Sequence, residues 1–133
     1  MDGVDRSKVI EIRVPFSDVG MHGQMFTTSY LRHAETAVLN FWKTRPEQAV
    51  EPVYIATKVS CTIHRGLRYD EFARFIVSID KIGVKSVGFD VMVTAEGEPV
   101  AEAEILWVAH ESEDGEPVPL PEATRDWLYQ ILD

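Results

Sequence analysis

The sequence predicts an α+β domain in which one long helix lies against a face of an antiparallel sheet. Three observations carry this. Residues 30–45 are the one long segment whose apolar residues recur at helical spacing. A short alternating run precedes it, and strand-like runs at 53–64, 71–82, 86–95 and 100–111 follow it, parted by turn signals. A single helix is too little to cover both faces of such a sheet, yet its apolar stripe must be buried.

Taken in order, residues 9–16 alternate in part, with Val9, Glu11 and Arg13 against Ile10, Ile12 and Val14, and read as a strand. A turn over 17–27 follows. Thr27, Thr28 and Ser29 are all good N-cap types, so the helix is expected to begin near Tyr30. Leu31, Ala34, Val38, Phe41 and Trp42 share one face; Arg32, Glu35, Thr36, Asn40 and Lys43 lie largely elsewhere. Pro46 ends the helix, because the residue before a proline avoids the helical region. Residues 44–52 connect to the strands, the first rich in β-branched residues. Turns containing Gly83 and Gly97 separate later strands, an acidic loop spans 113–116, and a proline-rich approach over 117–121 leads to a short final helix at 122–132.

With 133 residues, no internal repeat and no linker-like stretch, the chain is expected to form one domain spanning 1–133. Its 45% apolar and 26% charged residues are ordinary for a soluble globular protein. No apolar run approaches the roughly 20 residues of a membrane span, and residues 1–8 are polar, without a signal-peptide core. Cys61 is the single cysteine, which excludes an internal disulfide and fits a reducing, cytoplasmic setting. The net charge of −9 argues against nucleic acid and anionic membranes as partners. An anionic ligand would need a local basic patch, for which Arg65, Arg68, Lys81 and Lys85 are candidates; the alternative is that they are ordinary solvated side chains.

The most informative stretch is 16–35, where a glycine-punctuated polar turn runs into the long helix. It gathers an acid (Asp18), a histidine (His22), an amide (Gln24) and unpaired backbone N–H groups around a helix N-terminus. That end carries partial positive charge, so it can hold an anion or polarise a carbonyl oxygen.

The same stretch resembles the hot-dog-fold acyl-CoA thioesterases of the 4-hydroxybenzoyl-CoA thioesterase and YbgC-like group. Asp18, Tyr30, Leu31 and Glu35 match that group's Asp-x-Asp turn, helix opening and helix glutamate in type and spacing. The second acid of the pair, the group's usual catalytic carboxylate, falls on Gly20. Further likenesses follow in order: the strand Val59-Ser60-Cys61-Thr62-Ile63, the Arg68-Tyr69-Asp70-Glu71 turn, the Ile82-Gly83-Val84-Lys85-Ser86 hairpin, and Pro117-Val118-Pro119-Leu120-Pro121 before the last helix. The resemblance implies a hot-dog fold, a curved antiparallel sheet wrapped around the helix. It also implies hydrolysis of an acyl- or aroyl-CoA thioester, no metal or cofactor, and a homodimer or homotetramer with sites at the subunit interface.

Thioester hydrolysis needs an activated water or an attacking carboxylate, and a polarised carbonyl oxygen; a thiolate leaves without much help. By position, the Thr27 N–H matches the helix-start amide aimed at the thioester oxygen; otherwise Thr27 is a cap. Asp18 could orient water, or shape the turn as an Asx residue does. His22 could act as a general base, or face solvent. Gly20, Gln24, Phe26, Tyr30, Glu35 and Lys85 are candidates for substrate binding. Gly20 permits backbone freedom. Gln24 could hold a water or the thioester oxygen. Phe26, with Met25, Phe41 and Trp42, could line an apolar tunnel or belong to the core. Tyr30 is expected to pack with its hydroxyl partnered. In a different hot-dog branch a helix glutamate is the catalytic carboxylate, though not at the position matching Glu35; in the branch this chain resembles, the resemblance implies a structural Glu35, with catalysis the alternative. Lys85 is placed where relatives approach the CoA phosphates. Two other readings stand beside hydrolysis. One is a non-catalytic hot-dog protein that binds acyl thioesters or serves only in assembly. The other is a hot-dog hydratase or dehydratase, of which Asp18 and His22 are a loose echo.

Overall fold

The computed structural model describes residues 6–132. Strand β1 (Val9–Arg13) precedes helix α1 (Thr27–Trp42). Strands β2 (Val53–Ile63), β3 (Phe72–Ile82), β4 (Ser86–Ala95) and β5 (Glu98–His110) follow, and helix α2 (Glu122–Ile131) closes the order. The five strands form one antiparallel sheet in the order β1-β3-β4-β5-β2, so β1 and β2 are its edges. Helix α1 touches all five strands, which requires the sheet to curl around it as the hot-dog arrangement demands. Among the described residues no helix is long and apolar enough to cross a membrane.

Strand periodicity builds the core. Val87, Phe89, Val91, Val93 and Ala95 of β4 alternate inward, as do Ala101, Ala103, Ile105, Trp107 and Ala109 of β5. Small residues on both sides, Ala34 and Ala37 on α1 and the alanines of β5, are fully buried and let the helix sit close to the sheet. The outer sheet face carries Asp80, Asp90, Glu102 and Glu104, a share of the net negative charge. At the end of α1, Trp42 meets Tyr54 at 4.9 Å, Trp107 at 5.3 Å, Trp127 at 5.7 Å and Phe89 at 5.9 Å between ring centroids. Helix α2 seals this end with Trp127 and the fully buried Leu128.

Three boundaries differ from expectation, each for a local reason. Strand β1 stops at Arg13 because Pro15 has no N–H to offer and residues Phe16–Asp18 curl into a single 3-10 turn. Strand β5 starts at Glu98, since Glu96 (φ 53) and Gly97 (φ 77) form a tight turn of the kind that matches strand twist. Pro99 is tolerated because it lies beside the register shift at Val93/Thr94. The third difference matters most: α1 begins at Thr27, not Tyr30, and its N-cap is Phe26, whose side chain can cap nothing. The N–H of Phe26 donates to the Asp18 carbonyl at 2.8 Å, which holds Phe26 extended (φ −56, ψ 141) and starts the helix directly after it.

Candidate functional site

The turn ahead of α1 is a small hairpin of its own. Gly20 N–H donates to the Gln24 carbonyl at 2.9 Å, Gly23 N–H to the Gly20 carbonyl at 3.0 Å, and Val19 bridges Met25. Gly23 needs its glycine: its φ is +79. The hairpin is tied to the β2–β3 connection by Met25 N–H to the Leu67 carbonyl at 2.7 Å and by a Gln24–Arg68 bridge.

At the helix start, Ser29 N–H donates to the Phe26 carbonyl at 3.0 Å. Ahead of it, the N–H groups of Thr27 and Thr28 have no hydrogen-bond partner among the described residues, and both residues are exposed. An uncapped helix start presents donors and partial positive charge together. Thr27 is therefore the first helical residue rather than a cap.

Asp18 points away from this end. Its side chain is 7% exposed, with Arg32 Nη2 on one oxygen and His33 Nε2 2.9 Å from the other. Both carboxylate oxygens are thus engaged by the helix. The histidine facing Asp18 is His33, not His22, and the pair is largely buried. His22 lies at the exposed tip of the hairpin.

The remaining candidates are dispersed. Phe26, half exposed, lays its ring over Gly20, and a β-carbon placed on Gly20 would sit 3.0 Å from Phe26 Cε1. The Gln24 side chain lies over Gly66, where a β-carbon would meet Oε1 at 2.5 Å; its amide is thus directed at the β2–β3 connection. Tyr30 is buried and its hydroxyl accepts the Leu67 N–H at 2.8 Å, so it anchors the helix and is not open to a substrate. Burial is the main cause that pushes its phenol above the ordinary range. Glu35 is exposed, eight residues past Thr27, or roughly 12 Å along the helix. Cys61 is half-buried, and burial pushes its thiol up, away from the thiolate a nucleophile needs.

Lys85 stands at the wrong end of the single chain. Its carbonyl accepts Ala109 N–H at 2.8 Å, beside the start of β2, while Thr27 lies near Leu67, past the end of β2. The 16 residues of α1, roughly 24 Å, separate these two ends. Of the other basic candidates, Arg65 is committed to Glu71 through two bonds of 3.1 and 2.8 Å, which hold the Glu71 carboxyl below its usual range. Arg68 leans over Gly23, 3.2 Å from where a β-carbon would be. Among the described residues no three His, Cys, Asp or Glu side chains converge as metal ligands would. A groove of about 410 Å³ runs along the far half of α1, past Leu39, Trp42 and Lys43, away from Thr27.

Sequence reasoning missed Arg32 and His33. Arg32 looked like a solvated helix residue, and His33 carried no motif. The only available signal was its place three residues after Tyr30, on the side of the helix that turns inward.

No protein-family model matches the sequence, and no curated protein does. Solved structures do. A thioesterase from Thermus thermophilus, complexed with coenzyme A and Zn, superimposes with a TM-score of 0.83 at 21% identity over 98% of this chain and 96% of its own. The probable thioesterase YbaW from Escherichia coli gives 0.83 at 17% identity over 95% and 99%. A 1,4-dihydroxy-2-naphthoyl-CoA thioesterase from Synechocystis gives 0.82 at 11% identity over 93% and 96%. Shared over nearly the whole length, with the same helix inside the same sheet, the architecture of this chain is that of the hot-dog fold.

Proposed function

We propose that this protein hydrolyses an acyl- or aroyl-CoA thioester to the free acid and CoA, with the thioester oxygen held by the Thr27 N–H. The observation that carries the reading is the uncapped start of α1, whose first residues are exposed and whose first amides are without partners among the described residues, in a fold shared with several thioesterases. A preorganised donor of this kind lowers a barrier by roughly 3 kcal/mol. The resemblance puts the usual acid where Gly20 stands. His22, at the tip of the same hairpin, is the titratable group free to act as base once substrate is bound. Release of thiol from a panel of acyl- and aroyl-CoAs tests the activity; no turnover with any of them sinks it.

The reading includes a second copy of the chain. The free edge of β2 carries the exposed Val59 and Ile63, and an exposed edge invites strand pairing about a two-fold axis. Antiparallel pairing there sets the start of one β2 beside the end of the other. The second copy's Lys85 would then lie at the end where Thr27 opens, and the candidate set split by the length of α1 would meet between subunits. Light scattering on wild type and Val59→Lys tests this: a dimer or tetramer that becomes an inactive monomer is expected, and an active monomer overturns it.

A second reading, binding of acyl thioesters without turnover, is favoured by one observation: Gly20 offers no acid and Phe26 roofs the space above it. It predicts thermal stabilisation by CoA esters with no thiol release. Gly20→Asp separates the two. In a hydrolase framework it raises turnover, more so combined with Phe26→Ala; in a pure binder the carboxylate changes affinity alone.

A further inference from the structure

The Asp18 carboxylate is the one buried acid group in the turn, and nothing in the proposed chemistry uses it. Its backbone is bonded on both sides: its N–H donates to the Pro15 carbonyl at 2.9 Å, and its carbonyl accepts the Phe26 N–H at 2.8 Å. The second bond fixes the Met25–Phe26 peptide, and only the φ and ψ of Phe26 separate it from the peptide that carries the Thr27 N–H. The direction of the Thr27 N–H therefore depends on where Asp18 sits. The Asp18 side chain is in turn gripped by two consecutive residues of α1. Consecutive helix residues project about 100° apart, so they can reach a carboxylate lying between them from two sides. His33 cannot swing away easily: its side chain is 12% exposed and its ring rests 5.5 Å from that of Phe75. Arg32 is 58% exposed and closes the arrangement from solvent.

We infer that Arg32 and His33 are positioning residues for this site: they hold the Asp18 carboxylate, and through it the Met25–Phe26 peptide from which the chain turns to aim the Thr27 N–H. The arrangement is a closed loop of chain. The helix reaches back to grip the turn, and the turn fixes the peptide just ahead of the same helix. A buried carboxylate needs both partners, since losing one leaves an oxygen desolvated and unpaired. The turn would then shift to bring that oxygen to water, and the Phe26 bond would go with it. Small misplacement of a catalytic donor is costly even when the mutated residue is remote from the chemistry.

The kinetic half of this inference rests on the thioesterase reading; the structural half does not, so two measurements are made on each variant. His33→Met and Arg32→Met remove the donors while keeping bulk, and His33→Gln and Arg32→Lys restore a donor. Arg32 is the safeguard, because an exposed side chain can be changed without loss of folding. In each methionine variant kcat for thiol release from an acyl-CoA is expected to fall about tenfold with KM within about twofold, the pattern of lost transition-state alignment. Exchange of the Phe26 amide hydrogen is expected to quicken at least as much, and the Gln and Lys variants to recover most of both. Unchanged protection of the Phe26 amide overturns the inference, as does faster exchange with kcat intact, or a rise in KM alone. If the wild type turns over no CoA ester, the functional reading has failed separately. Quickened Phe26 exchange, restored by Gln and Lys, then still supports the clamp, and unchanged exchange still refutes it.

Discussion

At its C-terminal end α1 runs into a stack of rings: Trp42 is surrounded by Tyr54, Phe89, Trp107 and Trp127, and α2 lies across them. At its N-terminal end the same helix opens onto an exposed hairpin through Phe26 and two threonines, with amides left unpaired. The first end is aromatic and closed by chain that follows in sequence. The second is held by a few specific polar bonds, from Asp18 to Arg32 and His33 and from Tyr30 to Leu67. Dense packing and the proposed chemistry thus fall at opposite ends of one element. Many dispersed contacts tolerate the loss of precision; a donor aimed at a substrate does not.

Damage to the closed end should cost stability and spare chemistry. Trp42→Ala is expected to destabilise by about 3–5 kcal/mol, the range for truncating a large buried aromatic, while turnover per folded molecule at low temperature stays near wild type. Denaturant unfolding with a parallel assay checks both; a collapse of turnover in folded protein would break the contrast. Damage to the open end should do the reverse. Thr27→Pro deletes a single N–H at the first helical position, where proline is well accepted, and Phe26 already has the extended backbone that a following proline prefers (φ −56, ψ 141). Its turnover should drop by about 10²- to 10³-fold, with the melting temperature nearly unchanged. Retained activity would remove the Thr27 amide from the mechanism.

Tyr30→Phe lies between the two. It leaves the buried Leu67 N–H without its acceptor, at a cost of about 1–3 kcal/mol, and loosens the tie between α1 and the β2–β3 connection. Stability and turnover should both fall moderately; a loss in only one would show that the anchor serves only that one. The smallest effect belongs to neither end. Burial, and then the charges of Asp80, Glu104 and Glu102, push the Asp90 carboxyl above the ordinary aspartate value. An acid whose folded pKa is raised costs stability once ionised and gives that stability back as pH falls through it. Asp90→Asn should therefore stabilise by about 0.5 kcal/mol near pH 7, with the gain shrinking on acidification toward the ordinary aspartate range. A constant gain across that window would assign it to packing instead.

The strands and the helix were legible because their patterns are local: β4 and β5 alternate residue by residue, and α1 repeats its apolar face every turn. The start of α1 was not. Three capping-type residues in a row suggested residue 30, but the bond from Phe26 to Asp18, eight residues apart along the chain, sets it at Thr27. The grip on Asp18 was hidden for the same reason, since its partners lie 14 and 15 residues away and neither has a motif. Lys85 shows the opposite difficulty. Its hairpin was recognisable, yet which end of the molecule it occupies depends on how the strands are wired, and the site it is proposed to serve would lie on a second copy.

The bare cap at Phe26 also sets a limit on how hardy this protein can be. Ordinary capping side chains stabilise a helix by roughly 1 kcal/mol, and this helix forgoes that amount at the one place where a capping oxygen would occupy the amides. A designer raising the heat tolerance of the fold would reach first for serine or aspartate at this position. The self-supplied oxygen would compete with any incoming ester, so resilience gained there would be withdrawn from reactivity.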